Sequence, residues 1–112
     1  MQRAYRLKKN ASFSYVYRKG QSYAHPLLVL EFVPAKGIKV GVSVSKKVGK
    51  SVVRNLAKRR IYESFARLIP EIEGEYTYVV VARSAVAEAS FAEISEALRS
   101  LLVKAGHIAA DV

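Results

Sequence analysis

One block of the sequence constrains the fold more than any other. Residues 38–45 alternate strictly, with Ile38, Val40, Val42 and Val44 on one side and Lys39, Gly41, Ser43 and Ser45 on the other. A period of two marks a strand whose one face is buried. The period then changes. Val53, Ala57, Ile61, Phe65 and Leu68 recur at helical spacing, predicting a long helix over residues 52–69 that Pro70 stops. Residues 76–82 form an apolar, β-rich run without alternation, the pattern of a strand covered on both faces. Strand, long helix, strand predicts two parallel neighbours with the helix as their crossover.

The flanking segments add layers to this unit. Phe13, Val16 and Tyr17 share one face of a short helix that Asn10 or Ser12 can cap and Gly20 can end, with Arg18 and Lys19 in its last turn. A short strand is expected near residues 21–23, a second over 27–33 after Pro26, and a turn over 34–37. Ser90-Phe-Ala-Glu93 is a capping box that opens a last helix with Ile94, Leu98, Leu101 and Leu102 inward and Gly106 at its end. The tail, about residues 107–112, is expected to fray. The sum is an α+β fold, a helix-flanked sheet in the order α-β-β-(β)-α-β-α. The 112 residues fit one domain spanning 1–112, large enough to bury a core unaided.

Charge narrows the function. Residues 1–67 carry 16 Lys/Arg against two acids, Glu31 and Glu63, a net +14; residues 68–112 carry 3 against 7, a net −4. So one-sided a field attracts polyanions, nucleic acid foremost. The densest stretch contains Lys46, Lys47, Lys50, Arg54, Asn55, Lys58, Arg59 and Arg60. On a helix, Arg54, Asn55, Lys58, Arg59 and Tyr62 group on one face, while Arg60 falls nearer Val53. A solvated face would mix signs at i, i+4; here no acid occurs between Glu31 and Glu63, as if the surface were made for phosphates.

Several chemistries are set aside. There is no Cys, and His25 and His107 lack metal-ligand spacing, so no metal site is expected. Gly49-Lys50-Ser51 resembles part of a P-loop, but that motif needs Gly where Val44 stands, so no nucleotide cofactor is expected. The acids cluster apart from both His, and no catalytic constellation can be assembled from side chains. No apolar run reaches the roughly 20 residues that span a bilayer, and no signal-peptide pattern follows the basic start. No membrane partner is expected, and a reducing cytoplasm is the simplest location. Phe13 and Tyr17 remain open between two roles: packing their helix on the sheet, or lining a groove and stacking on unpaired bases. The many other Tyr favour single-stranded or irregular RNA over duplex DNA.

In their order these pieces resemble the protein subunit of bacterial ribonuclease P, over about residues 5–106. Arg6-Leu-Lys-Lys-Asn-Ala-Ser-Phe13 through Gly20 resembles the family's opening helix. Val40-Gly-Val-Ser-Val-Ser-Lys-Lys-Val-Gly49 is similar to its strand and turn, and Val52-Val-Arg54-Asn55 through Lys58-Arg59 to its basic signature helix. Tyr78-Val-Val-Val-Ala-Arg83 and Ser90-Phe-Ala-Glu93 match the later strand and helix. The resemblance implies an α/β sandwich with a left-handed βαβ crossover, against the usual right-handed rule. It implies that an RNA subunit is the catalyst, using Mg²⁺, in removing the 5′ leader from precursor tRNA. It also implies that Lys46, Lys47, Lys50, Arg54, Asn55, Lys58, Arg59 and Arg60 meet the ribonuclease P RNA, and that Phe13, Tyr17, Val29, Ser43 and Ser45 line a cleft for the leader. Two positions depart from the family. Leu56 stands where the signature typically has a second Arg, so one RNA contact is absent or passes to Arg59 and Arg60. Glu31 stands where an aromatic is common; facing the cleft, it would repel a leader phosphate or coordinate a cation. Charge and Tyr content alone also fit another structured-RNA binder, a ribosomal or RNA-chaperone module.

Overall fold

The computed structural model describes residues 3–110. A 3-10 turn at Arg3–Tyr5 leads to α1 (Asn10–Lys19), β1 (Gln21–Ala24), β2 (Leu28–Pro34), β3 (Lys39–Ser43), α2 (Ser51–Leu68), β4 (Tyr76–Ala82) and α3 (Phe91–Lys104). The strands form one sheet in the order β1-β2-β4-β3. β1 pairs with β2 and β2 with β4 antiparallel, while β3 and β4 are parallel neighbours joined by α2. The strand–helix–strand unit and the short strand before it are thus both as expected.

The two faces of the sheet explain the sequence periods. Leu28, Leu30 and Phe32 of β2, Val40 and Val42 of β3, and Tyr78, Val80 and Ala82 of β4 point to one side. There they pack against Ala57, Ile61, Phe65 and Leu68 of α2 and Ile94, Leu98, Leu101 and Leu102 of α3. Among the described residues the opposite face is covered by α1 and by Leu7 before it, in a smaller cluster of Val16, Val33 and Val79 with Leu7, Phe13 and Val81 packed against it. β4 lies between two neighbours with both faces covered, so Tyr78, Val79 and Val80 are all fully buried and no alternation survives in its sequence.

The helix ends follow local chemistry, with one exception. Ser90 Oγ accepts from the Glu93 N–H and Glu93 Oε1 accepts from the Ser90 N–H, a complete capping box for α3. At its other end Gly106 takes φ +80°, its N–H donating to Val103 O while the His107 N–H reaches Leu102 O, a Schellman closure. The expected cap of α1 at Asn10 or Ser12 does not form. Lys9 holds that position with no side-chain cap, because the chain enters the helix directly from pairing with β3. Arg6 bridges Val40 in parallel, and the Leu7 N–H donates to Val40 O at 2.9 Å.

The tail is also a correction. His107 and Ile108 are buried, each 4% exposed, whereas fraying was expected from residue 107 onward. The His107 ring stacks on Tyr76 with centroids 3.7 Å apart, meets Phe32 edge-on at 4.4 Å, and lies with Nδ1 2.7 Å from the Tyr78 hydroxyl. Burial lowers the pKa of this imidazole and raises that of Tyr78. Residues 111–112 of the expected frayed segment lie outside the described ones.

Candidate nucleic-acid interface

The basic surface begins where β3 ends. After Ser45 a 3-10 turn, Lys46–Val48, turns inward only Val48, which is buried and anchors the turn to the core. Gly49 follows at φ +148°, in a region that side chains rarely adopt, and a Cβ there would sit 3.2 Å from Val53. This hinge sends Lys50 to the N-cap position of α2 and leaves Lys46, Lys47 and Lys50 exposed around the helix start. The free N–H groups of that first turn face the same solvent, a favourable place for a phosphate.

Along α2 the same face carries Asn55, Lys58 and Arg59, all exposed, and Arg54, half-buried. Arg54 Nη2 donates to Ser51 Oγ at 3.1 Å, and its Nε is buried without a partner. Among the described residues none of these cations is paired with a carboxylate; the ion pair found is Arg99 with Glu71, at 2.6 Å on the acidic half of the chain. Leu56 is 38% exposed and Val52 79%, so the departure at Leu56 leaves an apolar strip beside the cations.

Two neighbours expected with this group behave differently. Tyr62 is buried, with the Arg6 guanidinium 4.4 Å above its ring, because the N-terminal segment covers that part of the helix. Arg60 is half-buried and donates from Nη1 to Ala89 O at 3.0 Å, tying α2 to the segment before α3. A helical wheel sees neither partner.

The leader-groove residues divide as well. On the open face of the sheet, register sets Val33, Thr77 and Lys39 in one row, Ser22, Glu31, Val79 and Gly41 in the next, and Ala24, Val29, Val81 and Ser43 in a third. Gly41 is where α1 comes down: a Cβ there would lie 2.4 Å from Phe13 Cζ. Phe13 therefore packs on the strand backbone and is still only half-buried, so its packing role leaves part of the ring open. Phe13, Tyr17 and Ser43 share one groove of about 350 Å³ with Asn10, Ser14 and Val42. Val29 lies on the Ser43 row but two strands away, and Ser45 lies exposed beyond the end of β3; neither lines that groove. Asn10, Ser14 and Gly41 were missed from sequence, though a glycine inside an alternating strand signals close approach of another group. Glu31 does face this side, and its partial burial raises its pKa.

Among the described residues no three His, Cys, Asp or Glu gather to hold a metal ion, and no helix is long and apolar enough to cross a membrane. The surface is instead an unpaired cationic face adjoining an aromatic groove, with only Val44 and Ser45 between Ser43 of the groove and Lys46 of the turn. A structure of the same shape is the Staphylococcus aureus RNase P protein, with TM-score 0.85 at 35% identity, covering 95% of this chain and 99% of that one. The Thermotoga maritima RNase P protein superposes at TM-score 0.80 and 27% identity, covering 88% and 96%. In sequence the chain is 49% identical over 107 residues to the ribonuclease P protein component of Clostridium kluyveri, covering 91% of this chain and 95% of the relative. The corresponding Ligilactobacillus salivarius protein is 42% identical over 105 residues, covering 91% and 93%. The family model described as Ribonuclease P matches residues 1–106, and the chain belongs to the bacterial ribonuclease P protein family.

Proposed function

We propose that the basic turn and α2 hold the ribonuclease P RNA while the groove beside α1 receives the single-stranded 5′ leader of precursor tRNA. As a member of its family the chain is the protein subunit of an endoribonuclease that matures the 5′ end of tRNA. The observation that carries the division of labour is the set of cations at Lys46, Lys47, Lys50, Arg54, Lys58 and Arg59, unpaired among the described residues, on one continuous surface. Like charges held this close repel one another, and phosphates relieve that repulsion. The groove offers the complementary chemistry. Phe13 and Tyr17 give a base ring faces to stack on, and Asn10, Ser14 and Ser43 give it polar edges. Leaving the groove at Ser43, a strand meets Lys46 and Lys47 within four residues of chain.

The reading assigns the bond cleavage to the RNA subunit and the Mg²⁺ to that RNA. Among the described residues no three His, Cys, Asp or Glu side chains gather to hold the ion. What the protein contributes is affinity and charge: it neutralises phosphates that would otherwise need metal ions to approach one another. The cytoplasm is the compartment this reading requires. Reconstitution tests it. Added protein should lower the Mg²⁺ concentration at which a bacterial ribonuclease P RNA cuts precursor tRNA; unchanged cleavage at limiting Mg²⁺ would overturn the assignment.

A further inference from the structure

The excess of cations is not confined to α2. Residues 40–67 hold eight Lys/Arg with one acid, and residues 1–39 hold another eight with one acid. The RNA-facing surface proposed above draws on the first set, and the leader groove contains no cation. The second set surrounds a different feature. Because α1 lies over the row containing Val79 and Gly41, it divides the open face of the sheet in two. Phe13 and Tyr17 face one side. On the other, Leu7, Tyr15, Val33, Pro34, Ala35 and Thr77 line a second groove of about 290 Å³. Two residues apart on a helix is about 200° of rotation, so Tyr15 and Tyr17 open to opposite flanks. Tyr15 is 49% exposed over mostly apolar walls.

This groove runs into a depression lined by Arg6, Lys8, Lys9 and Lys39, the two sharing Leu7, Ser12 and Thr77. The backbone that carries these cations is held in place, and so is the Lys39 side chain. Arg6 bridges Val40, Leu7 is hydrogen-bonded to the same residue, and Lys39 Nζ donates to Ala4 O. Lys8 and Lys9 are exposed and, among the described residues, have no carboxylate partner. Glu75, at the adjoining turn, is engaged by the Gly37 N–H.

We propose that this second groove is a binding site for an unpaired stretch of RNA, with one base against Tyr15 and the flanking phosphates on Lys8, Lys9 and Lys39. An aromatic ring over apolar walls takes the face of any base, and the cations beside it take the backbone. A second copy of this chain is the poorer occupant, because it would bring the same dense positive charge to the contact.

The test places the photoreactive residue p-benzoylphenylalanine at position 15 of the full chain, reconstituted with ribonuclease P RNA and precursor tRNA. Crosslinking to either RNA supports the site, and mapping the adduct separates leader from RNA subunit. Crosslinking to a second protein copy, or to no RNA, overturns it. The second arm titrates the protein with single-stranded oligoadenylate. Tyr15→Ala should weaken binding about fivefold or more while Tyr15→Phe preserves it. Lys8→Ala with Lys9→Ala should flatten the salt slope by roughly 1.4. Tyr15→Ala at wild-type affinity would overturn the proposal even if Phe13 and Tyr17 prove essential, so this groove and the leader groove stand or fall separately.

Discussion

Lys58 and Arg60 lie two positions apart in α2, yet the structure surrounds them differently. Lys58 is exposed and has no carboxylate partner among the described residues; Arg60 is half-buried with Nη1 on Ala89 O. If Lys46, Lys47, Lys50, Arg54, Lys58 and Arg59 each displace a counterion from RNA, the slope of log K against log salt is about −4 to −5. Raising salt from about 50 to about 200 mM then weakens binding by roughly 300- to 2,000-fold. Lys58→Ala removes one contact, so the slope should become shallower by about 0.7–0.9 and that salt penalty should shrink about threefold. Arg60→Ala should leave the slope unchanged. It removes a charge-assisted hydrogen bond at a half-buried site, costing about 1–2 kcal/mol of folding stability. Equilibrium binding to ribonuclease P RNA at several salt concentrations reads the first effect, and thermal unfolding the second. Equal slope changes for the two variants, or none for Lys58→Ala, would refute the division between RNA-facing and fold-holding cations.

Phe13→Ala should weaken precursor tRNA binding by the holoenzyme roughly 5- to 100-fold, as expected for one lost stacking platform, and leave mature tRNA binding unchanged. Equal losses for both RNAs would reduce Phe13 to a packing residue. Gly41→Ala should reproduce the precursor defect without touching the groove directly, because the new methyl displaces the Phe13 ring. Acid should unfold the protein through His107. Its folded pKa lies below the ordinary 6.5, so the neutral ring contributes stability above about pH 6.5 that is lost as pH falls through the folded value. The double variant Tyr78→Phe with His107→Phe removes both partners of that buried hydrogen bond, and its unfolding free energy should be flatter below pH 6.5. An unchanged acid slope would mean that other groups drive the transition.

What could be read from sequence was whatever is set by neighbours a few residues away. The alternation of β3, the stripe of α2 and the Ser90–Glu93 box are local patterns, and each formed, though β3 closes at Ser43 and not at residue 45. The failures share a different cause. The α1 cap is missing because residues 6–7 pair with Val40, far along the chain. Tyr62 left the cationic face because Arg6 covers it, and Arg60, already off that face by helical geometry, donates to Ala89 O, a partner 29 residues away. The tail from residue 107 was expected to fray since no period announces it, but its imidazole fits among Phe32, Tyr76 and Tyr78. In the candidate site, residue types and charge were legible, while Val29 and Ser45 fell outside the groove because sheet register and strand length are not local quantities.

The arrangement of the interface follows from a single requirement on β3. Val40 and Val42 must face α2 and α3 to complete the main core, which forces Gly41 and Ser43 onto the other side. With no side chain at Gly41, α1 can settle onto the sheet through Phe13 and Val16. A helix seated that low covers the middle of the face and leaves both flanks open, one with Tyr17 and one with Tyr15. β3 also fixes the charges. Its first residue, Lys39, and the segment paired beside it bring Arg6, Lys8 and Lys9 to one end, while the turn after it brings Lys46 and Lys47 to the other. A larger residue at position 41 would therefore disturb both aromatic flanks at once and leave the cations of α2 in place. RNA-subunit affinity and its salt slope should survive such a change when single-strand binding does not.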